Sequence, residues 1–107
     1  MVSRMNSILD DITTYIDGLD DECDWFYNFN KQFFEEELKR ELNSTHFLYN
    51  KDFKAILKSE CNDDVIYHIN DDSFVVVHLT YQKENTINYP RYKIIDNIVD
   101  LKKFIKS

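Results

Sequence analysis

The sequence predicts a single α+β domain over residues 1–107, in which an antiparallel sheet of three to four strands packs against two N-terminal helices and one C-terminal helix. Three observations lead there. Apolar residues recur about every fourth position before Asn43, they alternate every second position after Phe53, and an amphipathic helical pattern returns after Asp96. With 107 residues, 43% of them hydrophobic, the chain has the material for one core and little for a second.

The first helix is expected over Ser7–Asp17, where Ile8, Ile12, Tyr15 and Ile16 share a face and Gly18 follows. The β-branched pair Thr13-Thr14 weakens it. A second helix is expected from about Asp20 to Glu41, with Trp25, Phe29 and Phe33 as a stripe flanked by Phe26, Phe34 and Leu38. Glu35–Lys39 and Glu36–Arg40 are i,i+4 pairs on its outer side, each worth about 0.2–0.5 kcal/mol. Asn43-Ser44-Thr45 then favours a turn.

Strands follow at Phe53–Ser59, Val65–Ile69 and Phe74–Tyr81, and Asn70-Asp71-Asp72-Ser73 reads as the hairpin turn between the last two. With Asn70 facing Ser73, Ile69 pairs with Phe74, Tyr67 with Val76 and Val65 with His78. His68 and His78 then fall on opposite faces. Both faces are largely apolar, so helices are expected on one side and a strand, a loop or a partner on the other. After the polar connection Gln82–Asn88, Tyr89–Ile95 is a fourth strand with Pro90 near its start, where the missing ladder hydrogen bond costs least. Asp96 is the expected cap of a last helix with Ile98, Leu101, Phe104 and Ile105 on one face and Lys102, Lys103 and Lys106 toward its end.

Composition excludes several function classes. A single glycine, Gly18, cannot build a phosphate-cradling loop or a dinucleotide fingerprint. Ser44 and Ser73 lack the strand-turn-helix setting of a nucleophile elbow. No H-x-x-x-H or C-x-x-C pattern is present, so neither a metal nor another cofactor is expected. No apolar run follows Arg4 and none is long enough to span a bilayer, so the expectation is a cytoplasmic protein with no membrane partner and with Cys23 and Cys61 reduced.

The net charge of −7 is unevenly placed. Residues 1–50 hold eleven acids against four bases, whereas residues 51–107 hold nine of each. Asp10, Asp11, Asp17, Asp20, Asp21, Glu22 and Asp24 form a run without a single Lys or Arg, which would repel a phosphate backbone and attract a basic protein. Nucleic acid is therefore not an expected partner.

No residue is assigned to catalysis outright. His46 lies in a loop after the long helix, His78 stands in the apolar stretch Val75–Thr80, and Asp63 and Asp64 flank a strand, so that a His/Asp acid–base pair could form among them. The simpler readings are a hydrogen-bonded sheet histidine and solvated turn aspartates. The aromatic stripe around Trp25 reads as core. Binding candidates are Asp20, Asp21 and Asp24 for their charge, and Tyr49, Tyr81 and Tyr92, whose rings bury apolar area while their hydroxyls tolerate a wet rim.

The stretches His46-Phe47-Leu48-Tyr49-Asn50-Lys51, Asp63-Asp64-Val65-Ile66-Tyr67, Val75-Val76-Val77-His78-Leu79-Thr80 and Tyr89-Pro90-Arg91 resemble, in order and across residues 40–106, a family of small bacterial proteins of uncharacterised function. The resemblance implies a compact intracellular fold with an aromatic residue after the His-Leu-Thr stretch, here Tyr81. It marks His46, Asp63, Asp64, His78 and Thr80 without giving them roles. The longer connection Gln82–Asn88 and the scarcity of glycine at the turns depart from that pattern.

Together these features lead to a small acidic interaction protein, of the immunity or antitoxin kind, that occludes a basic partner surface. A small metal-independent hydrolase or transferase using the His/Asp pair, and a structural homodimer formed through an open sheet face, are the alternatives.

Overall fold

The sheet begins earlier in the chain than the change of rhythm suggests. In a computed structural model, which describes residues 4–19, 24–27, 29–42, 44, 46, 48, 49, 51–69, 73–79 and 91–106, the elements run α1 (Arg4–Leu19), β1 (Trp25–Phe26), α2 (Lys31–Glu41), β2 (Lys54–Ser59), β3 (Asp64–His68), β4 (Phe74–His78), β5 (Tyr92–Ile95) and α3 (Ile98–Lys106). The five strands form one antiparallel sheet in sequential order. The α+β class holds, with five strands among the described residues in place of the three or four expected.

The extra strand comes from the stripe assigned to the second helix. That helix starts only at Lys31, where the Asn30 side chain accepts the Phe33 amide at 3.1 Å. Trp25 and Phe26 instead pair with Ser59 and Lys58 as an edge strand. Phe29 therefore lies outside the helix, and Phe33 is exposed on it. Tertiary pairing has overridden a period-four pattern that short aromatic runs produce readily.

Both faces of the sheet are covered by the chain itself. α1 and α3 pack on one face, where Ile12, Ile16, Leu101 and Ile105 meet Ile56, Leu57, Ile66, Phe74, Val76 and Ile95. The Tyr15 hydroxyl donates to the Lys102 carbonyl at 3.2 Å and the Lys102 ammonium reaches Asp11 at 2.9 Å, tying the two helices together. On the other face Leu38 of α2 and its C-cap Leu42, with Leu48 and Phe53 from the following segment, cover Ala55, Val65, Tyr67, Val75, Val77 and Leu79. The face that the sequence left open for a strand, a loop or a partner is closed by α2 and the segment after it.

Two local features set the registers. β2 carries a bulge between Ala55 and Leu57, so Ile56 and Leu57 both enter the α1/α3 core while Ala55 and Lys58 face α2. The Ala55 amide, turned out of the ladder there, donates to the Glu35 carboxylate at 2.9 Å. Glu35 is therefore part of the packing, and Arg40 forms a two-point ion pair with Glu37, its Nε at 3.2 Å, in place of the expected Glu36 pair.

In the second feature, the Ile69 amide donates to the Ser73 carbonyl at 3.1 Å, which leaves three residues to connect the strands where two were expected. The pairing moves by one position: Tyr67 opposes Val75, Val65 opposes Val77 and Asp64 opposes His78. Such a slip exchanges faces. His68 and His78 consequently share the α1/α3 face, at opposite ends of the strand pair. At the C-terminus, Asn97 and not Asp96 caps α3, its side chain accepting the Asp100 amide at 2.8 Å. No helix among the described residues is long and apolar enough to cross a membrane.

Candidate functional site

The turn between β2 and β3 organises one end of the sheet around its own hydrogen bonds. Ser59 Oγ accepts the Cys61 amide at 3.0 Å and Asn62 Oδ1 accepts the Asp64 amide at 2.8 Å, an Asx-type closure that presets the start of β3. The Lys58 ammonium donates to the carbonyls of Ser59 at 2.9 Å and Asn62 at 2.6 Å. Two of its three donors are thereby used inside the turn. The Glu60 amide donates to the Asp24 carbonyl at 2.8 Å, carrying the β1–β2 ladder one residue past the strand.

Several acids around this turn form no ion pair among the described residues. Asp17, Asp24, Glu60 and Asp63 are exposed, and none forms an ion pair among the described residues, in contrast to Asp11 with Lys102, Glu37 with Arg40 and Asp64 with His78. The Tyr27 hydroxyl, just past β1, donates to Asp17 at 2.8 Å and links α1 to the same edge. Two groups respond separately to these acids. The Cys61 thiol is pushed above its ordinary pKa by the Asp24 carboxylate first, then by loss of water, its hydrogen bond to Asp24 and the charge of Glu60. Tyr27 is pushed up by its hydrogen bond to Asp17 and by the charge of that carboxylate.

Beside these acids lies an aromatic cluster on the α2 side of the sheet. Ring centroids are 5.9 Å apart for Phe26–Phe29, 5.6 Å for Phe29–Phe34 and 5.0 Å for Phe33–Phe34, all within range of favourable aromatic contact. Phe26, Phe29 and Phe34 are half-buried and Phe33 is exposed.

The histidines divide. His78 Nδ1 lies 2.8 Å from Asp64 Oδ1 across the β3–β4 ladder, with His78 more than half exposed and Asp64 half-buried. A proton on Nδ1 shared with the carboxylate leaves Nε2 as an acceptor toward solvent, the arrangement of an oriented base. Asp63 contributes its carbonyl to the Leu79 amide at 3.2 Å, and its carboxylate stays in water. His46 is buried, accepts the Leu48 amide on Nδ1 at 3.0 Å and packs against Tyr92 with ring centroids 4.9 Å apart. His46 belongs to the α2 side and His78 to the other, so the structure joins His78 with Asp64 and does not bring His46 to either aspartate. Among the described residues no group of three or more His, Cys, Asp and Glu side chains could hold a metal ion.

Of the binding candidates, Asp24 is exposed at the acidic edge, Tyr49 is exposed on a cleft of about 360 Å³ with Lys39, Lys51 and Asp52, and Tyr92 is half-buried against His46. Asp20, Asp21, Tyr81 and Thr80 lie outside the described residues. Sequence reasoning missed Glu60 as a member of the edge, because it reaches Asp24 only through the β1–β2 pairing. An isolated acid beside a Ser-Glu-Cys-Asn turn carries no stronger signal. Compared with protein-family models, with curated proteins and with solved structures, the chain matches none.

Proposed function

We propose that this protein is a non-catalytic binding module whose acidic edge covers a basic surface on a protein partner, in the manner of an immunity protein or antitoxin. The observation that carries the reading is the row of exposed carboxylates Asp24, Glu60 and Asp63, set on adjoining segments at one end of the sheet by the β1–β2 and β2–β3 pairing, none of which forms an ion pair among the described residues. Like charges held at one edge repel each other in the free protein, and that cost is relieved when an opposite surface docks. They also raise the rate of encounter with a basic partner and reject polyanions. A cytoplasmic setting with reduced cysteines is part of this reading.

The test is affinity purification of the tagged chain from cells that make it, beside a double variant Asp24→Lys, Glu60→Lys. A stoichiometric basic partner held by the first and lost by the second is the expected result. Equal recovery with both, or no stoichiometric partner with either, contradicts the proposal.

One observation favours a second reading, a small hydrolase or transferase. The Asp64–His78 pair has the geometry of a carboxylate-oriented base and stands at the solvent-facing end of the sheet. Under that reading His78→Ala abolishes turnover in a substrate screen that the intact chain passes; retention of full turnover by His78→Ala rules the mechanism out.

A further inference from the structure

We infer that the cleft between the end of α2 and the segment leading into β2 binds a free α-amino acid with a large apolar side chain. It lies at the opposite end of β2 from the acidic edge, a separation of about 20 Å along the strand, and does not depend on that reading. The cleft has a volume of about 360 Å³, at the small end of the range of about 300–1,000 Å³ for ligand sites, which suits a molecule the size of one amino acid. One wall is the last turn of α2 and its C-cap Leu42, whose amide closes on the Leu38 carbonyl at 3.1 Å. The other is built by two successive turns, in which the Tyr49 amide donates to the His46 carbonyl at 3.0 Å and the Lys51 amide to the Leu48 carbonyl at 3.1 Å. Leu42, Leu48 and Phe53 are packed into the core and seal its floor, while Tyr49 stands 42% exposed at its mouth.

The rim carries both signs of charge. Lys39 from the α2 wall and Asp52 from the facing one are exposed, and neither side chain forms a hydrogen bond or ion pair, with the other or elsewhere among the described residues. Glu35, the helix neighbour expected to hold Lys39, is directed to the Ala55 amide at 2.9 Å. Lys51 adds a second ammonium beside Asp52, so the rim holds two positive charges and one negative. A ligand that answers it brings a carboxylate to the lysines and an ammonium to Asp52, the two groups that a free amino acid carries on one carbon. Its side chain then lies along the Tyr49 ring and the alkyl stems of Lys39 and Lys51, since the floor is closed to deeper entry. A polyanion meets Asp52, a metal ion or a basic peptide meets the two lysines, and an uncharged apolar molecule leaves all three charges unanswered.

The test titrates the full chain, isotope-labelled, with phenylalanine, leucine and tryptophan in turn. Controls are the N-acetyl form and the amide of the tightest of the three, alanine, and inorganic phosphate. At least one of the three amino acids shifts the backbone resonances of Lys39, Tyr49 and Asp52, and each control binds at least about tenfold more weakly than the tightest. Asp52→Asn erases the preference for the free amino acid over its N-acetyl form, and Lys39→Gln reduces the preference over the amide. The blocked forms test the same pairing on the unaltered chain, whether or not either variant folds. No shift at these residues with any of the three at about 10 mM, shifts confined to other residues, or equal binding of any control overturns the inference; with phosphate, equal binding would mean a plain anion site.

Discussion

Replacing Glu35 with alanine separates the folded arrangement from the helix-surface role that its spacing to Lys39 suggests. As an exposed i,i+4 acid it would contribute about 0.2–0.5 kcal/mol. In the structure its carboxylate accepts the Ala55 amide at 2.9 Å, at the bulge where that amide has left the β2–β3 ladder, and Ala55 is 2% exposed. A hydrogen bond to a charged acceptor contributes about 1.5–3 kcal/mol, and the buried amide loses its partner in the variant. A cost of about 2 kcal/mol follows. With an unfolding entropy of about 2.1 cal/mol/K per residue, a domain of this length loses about 9 °C in Tm.

Glu35→Gln keeps an oxygen in place and retains about half of the effect. Urea unfolding of the three proteins gives the free energies, and hydrogen exchange at Ala55 reports the bond itself. A loss below about 0.5 kcal/mol for Glu35→Ala, with unchanged protection at Ala55, would refute the role of Glu35 at the bulge.

Two further substitutions probe the same side of the sheet. Tyr67 is fully buried and its hydroxyl donates to the Phe34 carbonyl at 2.8 Å, so Tyr67→Phe costs about 1 kcal/mol in denaturant unfolding while leaving the fold unchanged by circular dichroism. For Glu37, burial opposes ionisation, but hydrogen bonds with Glu41 and Arg40 outweigh it and hold the carboxyl below its ordinary pKa. A depressed carboxyl stabilises the fold above its unfolded-state pKa and loses that contribution as pH falls through the folded value. Stability measured downward from about pH 5 therefore declines less steeply in Glu37→Gln than in the unaltered chain. Parallel declines would count against the pairing.

The α+β class, the β3–β4 hairpin and the terminal helices were legible because their apolar periods are long and consistent. Ile12 with Ile16, and Leu101 with Ile105, bury as their spacing requires. Other features depend on partners far along the chain. Trp25 and Phe29 fit a helical repeat as well as an edge strand and a loop, and only the pairing of Trp25 with Ser59 decides between them. The β3–β4 register turned on one residue of loop length, and with it the side on which His78 stands and its contact with Asp64. The bulge at Ala55 broke an alternation that read cleanly as Phe53, Ala55, Leu57, because Ile56 and Leu57 both enter one core. In the candidate site, the surplus of acid near the N-terminus was visible in the sequence. The joining of Asp24 with Glu60 and Asp63 was not, since it requires β1 to pair with β2 beside the β2–β3 turn.

Ionisation of Cys61 in a Cys23→Ser chain, followed through the pH dependence of its alkylation, reads the potential at the edge directly. The thiol should titrate above an ordinary cysteine, and both Asp24→Asn and added salt should return it toward the ordinary value. A normal titration at low salt that neither change moves would mean that these carboxylates do not make a negative surface, and the case for a basic partner there would be lost.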